Sequence, residues 1–326
     1  MAVFVLAPGL IADIGGTNAR FALVDADGGT YDARILACAD YAGPAEATAA
    51  YLREVRPPTP PVRAAFCVAC PVLGDTVALT NNAWSFSTTA TRQALGLVDL
   101  TVVNDFVANA LAVPLLTTAD RMRISGGDAA AGLPMAVLGP GTGLGVALLV
   151  PTGDGRLLPI ATEGGHVTMP ATGPTEAAVL ERLARRFGHV SAERVISGAG
   201  IVNVYQALCD LEGVEPILDD AAAIGSRALG GDDPTALRTL HLVFGMLGTV
   251  AGDLALSAGA LGGVTIMGGI VPRYLELFRA GPFREKFEAK GRFAAYLRGI
   301  PVDVATHPYP AFVGLAGLAT PRASHL

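Results

Sequence analysis

The sequence predicts an α/β fold of two mixed-sheet domains, and two observations carry that prediction. The first is an internal repeat. Setting "IADIGGTNARFALVDADGG" over "AVLGPGTGLGVALLVPTGD" with Thr17 on Thr142 (142 − 17 = 125) brings Gly16, Thr17, Ala22, Leu23 and Gly28 onto Gly141, Thr142, Ala147, Leu148 and Gly153. Each stretch has the same order: apolar strand, glycine–threonine turn, second apolar strand, glycine turn, third strand ("TYDARILA" and "GRLLPIAT"). That order describes a three-stranded antiparallel meander. The second observation is the pattern downstream of each meander: helix-period segments, then further strand-like runs, which join a sheet through crossovers.

Taken in chain order, the first meander leads into the amphipathic segment "PAEATAAYLREV" and the strands "RAAFCVACPV" and "LTVVND". The second leads into "PTEAAVLERLARRFG", with Pro174 at a helix start and Gly188 at its end. A later helix is opened by Asp233 and Pro234, and the strands "GVTIMGG" and "PVDVATH" come after it. Two such units are expected to face each other across a cleft. At 326 residues and 51% apolar composition, the chain has ample core for both.

Charge and composition exclude several partners. The formal charge of −6 includes no basic block, so neither nucleic acid nor an anionic membrane surface is expected. Cys38, Cys67, Cys70 and Cys209 make no disulfide framework in a chain of this length, which leaves the cytoplasm as the expected compartment. The opening "MAVFVLAPGLIA" lacks the basic start and cleavage site of a signal peptide and reads as a buried first strand. Ala129–Gly153 is uncharged and long enough to span a bilayer. Its "GPGTGLG" turn residues assign it instead to strand, loop and strand in a core.

The candidate site residues lie at turns and strand ends. "DIGGTNAR", Asp13 to Arg20, has neither the lysine of a Walker loop nor the spaced glycines of a dinucleotide fingerprint. Gly15 and Gly16, with Gly141 and Gly143, would let backbone N–H groups approach an anion from two loops, although ordinary hairpin turns also use such glycines. Asp13 ends an apolar strand, where a carboxylate needs a cation or hydrogen-bond donors. "VVND" ends a strand and "FVANALAVPLL" begins a helix, so Asp105 at that junction could simply be a helix N-cap. "EGGH" places Glu163 and His166 three residues apart, too few ligands for a zinc site. "CVAC" has redox spacing inside an apolar strand and reads as core. Gly268 and Gly269 in "MGGIV" would admit a flat ligand or pack a helix on a strand.

Duplicated mixed-sheet domains with glycine–threonine hairpins resemble the fold shared by actin, heat-shock ATPases and sugar kinases, which is ribonuclease H-like. In that fold both hairpins touch the phosphates of one ATP. "IADIGGTNARFAL", "NDFVANALAVPLL", "LGPGTGLGVALLVP", "EGGHVTMP", "GHVSAERVISGAGIVNVY", "GGIVPRYLELF" and "FEAKGRFAAYLRGIPV" are similar to the bacterial glucokinase family through most of the chain. The cysteine-rich zinc motif of a related sugar-kinase group has no counterpart here.

The resemblance implies an ATP- and Mg²⁺-dependent transfer of the γ-phosphoryl to the 6-hydroxyl of glucose, the first step of glycolysis. It makes Asp105 the catalytic base and places Asn104, Asp105, Glu163, His166 and Glu193 on the sugar. ATP would meet Ala12, Asp13, Ile14, Gly15, Gly16, Thr17, Gly141, Thr142, Gly143, Gly268 and Gly269, with Mg²⁺ held by Asp13 through water. It further implies a cytoplasmic homodimer. Residues 1–115 completed by a final helix in 306–326 would form the small domain and 116–305 the large one, their closure excluding water. Alternatives are a kinase of another hexose and a non-catalytic sugar sensor. A DNA-binding regulator would need a reading module, for which no room is expected ahead of "GLIADIGG".

Overall fold

The computed structural model describes residues 7–80 and 82–320, in two compact units: Met1–Thr117 with His307–Leu326, and Thr118–Thr306. Part of the apolar opening stretch (residues 1–6) and the end of the expected final helix (321–326) lie outside the described residues.

The first unit holds β1 (Gly9–Ile14), β2 (Asn18–Val24), β3 (Thr30–Ala37), β4 (Arg63–Val68), β5 (Thr76–Ala78), β6 (Ser85–Ser87) and β7 (Asp99–Asn104). Its main sheet has the order β3-β2-β1-β4-β7, in which the meander β1-β2-β3 is antiparallel and β1, β4 and β7 run parallel. Three helices intervene: α1 (Pro44–Val55), α2 (Thr88–Ala94) and α3 (Asp105–Ala112). Pro44 presets the first turn of α1, whose Tyr51 stacks on Phe21 of β2 at 5.3 Å. On the opposite sheet face, Phe312 and Leu315 of the helix Pro310–Ala319 join Ile11, Ala65 and Cys67 in a second core layer. A parallel strand covered on both faces reads as a continuous apolar run, as "GLIADI" does.

The second unit repeats this plan. β8 (Arg121–Ser125), β9 (Met135–Pro140), β10 (Leu144–Pro151), β11 (Leu157–Thr162), β12 (Gly263–Ile266) and β13 (Val302–Ala305) form one sheet of order β11-β10-β9-β12-β13-β8. The uncharged span Ala129–Gly153 is therefore mostly strand, turn and strand. The two meanders are not equivalent residue for residue. Ile14 pairs with Ala19, but Pro140 pairs with Leu144, so the first turn holds one more residue. The offset of 125 matches β2 to β10, whereas β1 matches β9 at 140 − 14 = 126.

Helices α4 (Pro174–Phe187), α5 (Gly198–Glu212), α6 (Ala221–Gly230) and α7 (Pro234–Ala258) cover this sheet. Gly188 ends α4 with φ 71°, and Asp233 caps α7 by accepting the Ala236 N–H. The 25 residues of α7 are apolar and long enough to cross a membrane. With 72% of its apolar window inside the fold, α7 is a core helix, packed with Phe278, Phe283 and Phe287 around Phe244. One charged pair is embedded there: Glu176, in the first turn of α4, meets Lys286 Nζ at 2.8 Å.

Candidate active site

In the first unit the candidate groups gather at the carboxyl ends of parallel strands. Register sets Asp13 beside Cys67 of β4, and Cys67 beside Val103 of β7. Two strand spacings, about 10 Å, therefore separate Asp13 from the strand that ends in Asn104. Open α/β sheets bind ligands outside this edge.

Asp105 is the first residue of α3, and the cap is Asn104, whose Oδ1 accepts the Phe106 N–H at 2.9 Å. This corrects the N-cap alternative for Asp105. The Asn104 amide also donates to the Cys70 carbonyl at 3.3 Å, so its side chain is held from both ends. Asp105 Oδ1 accepts the same Phe106 N–H. A carboxylate in a helix's first turn gains from the partial positive charge there.

Asp13 is the partner of Arg20 in the β1–β2 register, 3.4 Å away, and takes a hydrogen bond from the Cys67 thiol at 3.5 Å. Burial pushes its pKa up; the Arg20 charge and the Cys67 and Arg20 hydrogen bonds oppose the shift without cancelling it. The same crowding pushes the fully buried Cys67 thiol well up: burial first, then the charges of Asp13 and Asp105. Cys67 is thus an inert neighbour of both carboxylates, and Cys70 lies just beyond the strand rather than within it. Counting back across the hairpin could have found Arg20. Cys67 became identifiable only with the β4 register.

With its side chain 27% exposed and both partners long, Asp13 retains acceptor capacity for a hydrated Mg²⁺, which keeps most of its waters. Among the described residues no three His, Cys, Asp or Glu side chains are placed to bind a metal directly. Asp13→Asn gives a two-sided expectation. Because burial disfavours the ionised form, the amide should raise the urea midpoint at pH 7. If Asp13 holds the ion through water, the Mg²⁺ concentration for half-maximal turnover should rise about 10–100-fold. Titrating Mg²⁺ and urea on the same preparation checks both.

The glycine turn itself uses Gly15 N–H to bond Asn18 O, while the N–H groups of Gly16 and Thr17 have no hydrogen-bond partner among the described residues. Ala12 and Ile14 are fully buried, backbone included, so neither presents surface to a ligand in this structure.

The second unit has a matching turn. Gly141 N–H bonds Gly143 O, and the Thr142 and Gly143 N–H groups have no partner among the described residues. Two adjacent unpaired N–H groups suit an anion. Glu163 precedes and His166 ends a 3₁₀ turn, Gly164–His166, with Oε2 and Nε2 3.9 Å apart and side chains 57% and 60% exposed. Gly165 lets that turn sit on β10: a Cβ there would lie 2.0 Å from the Leu144 carbonyl. A backbone bridge between Thr168 and Ser191 brings in the 3₁₀ turn Ala192–Arg194, which carries Glu193. Glu193 is partly buried. Its Oε2 accepts the Leu144 N–H at 2.9 Å, beside the glycine turn.

Gly268 and Gly269 differ from each other. Gly268 has φ 82°, and a Cβ on it would fall 2.5 Å from the Pro140 carbonyl, so it serves packing of the backbone on β9. Only Gly269 faces open space.

Duplicated β-meanders with anion-ready glycine turns, each extended by parallel strands, define the actin-like ATPase fold in its sugar-kinase form. The family model described as Glucokinase matches residues 10–322. A glucokinase of Paramagnetospirillum magneticum is 53% identical over 95% of this chain and 97% of its own length, and one of Aromatoleum aromaticum 49% over 95% and 93%. The crystal structure of a glucokinase from an Antarctic psychrotroph superposes with TM-score 0.86 at 38% identity, covering 96% of this chain and 99% of that one. The chain belongs to the glucokinase family.

Proposed function

We propose that the chain transfers the γ-phosphoryl of ATP to the 6-hydroxyl of D-glucose with Asp105 as general base. Family membership makes it a glucose-phosphorylating kinase. The observation that carries the assignment of the base is the position of Asp105: first residue of α3, at the carboxyl end of β7, beside an Asn104 whose side chain is held at both ends. Phosphoryl transfer asks the protein mainly for positioning and charge stabilisation, with one acceptor at the nucleophile. In this reading Asn104 orients the 6-hydroxyl and Asp105 takes its proton as the oxygen attacks the γ-phosphorus and the bond to ADP breaks. Glu163, His166 and Glu193 hold other hydroxyls, each able to pair with a carboxylate or imidazole. The unpaired N–H groups of Gly16, Thr17, Thr142 and Gly143 receive phosphate oxygens, and Gly269 lies under the adenosine. Asp13 would hold Mg²⁺ through water, and the bound ion would neutralise phosphate charge.

A coupled ATP-to-ADP assay across a hexose panel tests the function. Glucose should give the highest kcat/KM. Tight sugar binding without turnover on any hexose would replace the kinase with a sensor. We further assign the enzyme to the cytoplasm, as a homodimer, which sedimentation at twice the monomer mass would verify.

A further inference from the structure

The turn between β9 and β10 is anchored twice. Its Gly141 carbonyl accepts the Gly198 N–H at the start of α5, and its Leu144 N–H donates to Glu193 Oε2. Between these anchors lie the two unpaired N–H groups of Thr142 and Gly143. Glu193 is itself held by its backbone: its carbonyl accepts the Ser197 hydroxyl at 2.8 Å, and that hydroxyl caps α5 at Gly200 N–H. The two glycines of the turn are not equivalent. A Cβ on Gly141 would meet nothing within 4 Å, whereas one on Gly143 would fall 2.3 Å from Glu193 Oε2. A side chain on Gly143 would therefore have to displace the Glu193 carboxylate.

We propose that Glu193 is a positioning residue that couples the two substrates: one carboxylate oxygen holds the glycine turn through Leu144 while the other takes a sugar hydroxyl. Sugar bound to Glu193 then fixes the carboxylate and, through it, the geometry of the N–H groups that receive phosphate. Coupling of this kind is reciprocal, so nucleotide must tighten sugar binding by the same factor. The proposal rests on the kinase reading above, and the tests separate the two.

Glucose binding is measured calorimetrically without nucleotide on the wild-type protein, Gly141→Ala and Gly143→Ala, with circular dichroism to check folding. Gly143→Ala should weaken glucose binding about tenfold or more, and Gly141→Ala should leave it within twofold. A turn that serves phosphate alone predicts no glucose effect from either, and equal glucose affinity in the two variants would overturn the proposal. Glu193→Gln provides an independent arm, since an amide can keep one oxygen on Leu144 but loses the charge that anchors both contacts. The affinity for a non-hydrolysable ATP analogue is measured with and without glucose. Wild type should show at least a fivefold gain with glucose, and Glu193→Gln less than twofold. An undiminished gain in the variant would also overturn the proposal. Failure of the wild type to bind glucose at all would remove the functional reading, and the coupling with it.

Discussion

Replacing Asp105 by alanine or asparagine should lower kcat by about 10²–10⁴-fold, the range for losing a positioned general base, or about 2.7–5.5 kcal/mol of barrier. The affinity for an ATP analogue should change much less, because the unpaired N–H groups of the glycine turns are untouched. Asn104, not Asp105, caps α3, so the helix keeps its principal N-terminal bond. Single-turnover measurements with saturating ATP and glucose separate chemistry from binding. Turnover near that of the parent would eliminate Asp105 as the base, whatever the family relation.

The largest expected loss of stability lies away from this chemistry. Glu176 has a side chain only 4% exposed, and its carboxylate is held by Lys286 and by the backbone and hydroxyl of Thr172. Burial alone pushes the Glu176 pKa up, but the Lys286 and Thr172 hydrogen bonds outweigh it and hold the group below its ordinary value. Lys286→Ala leaves that carboxylate buried without its counter-ion and should destabilise the second unit by about 3–5 kcal/mol. The double variant Glu176→Gln with Lys286→Met should recover most of this. The pH dependence gives a second check. In the parent, a depressed carboxylate stabilises fully above its unfolded value and loses that contribution as pH falls through the folded one, in the acid range. Without Lys286 two of the influences that lower the pKa are lost, so the variant should lose less stability than the parent as pH falls. Urea unfolding of both proteins from pH 7 to pH 4 would show it; parallel curves would exclude the pair as a stability determinant.

The elements most legible in the sequence are those set by neighbours along the chain. "TYDARILA" is β3, "PAEATAAYLREV" is α1 from Pro44 to Val55, and α4 runs from Pro174 to the glycine after Phe187. Alternation, helical periodicity, proline at a helix start and glycine at its end act over a few residues, and the duplicated meander repeats them. The motifs likewise placed Asp13, Asn104 and Asp105 at strand ends.

Other features depended on partners distant in sequence. Strand pairing alone revealed the extra residue in the first glycine turn. Gly268 gave the same sequence signal as Gly269, yet its missing side chain is filled by the Pro140 carbonyl, which β9 supplies from more than a hundred residues away. Asp13 gained Cys67 from β4, and Glu193 gained the Leu144 N–H across 49 positions. Local pattern in the chain was enough to specify the two α/β units, their turns and the residue types able to move a proton or meet a phosphate. Which atom each carboxylate touches was settled by tertiary packing, because hydrogen bonds and van der Waals exclusion act over a few ångströms of space, however far apart the residues lie along the chain.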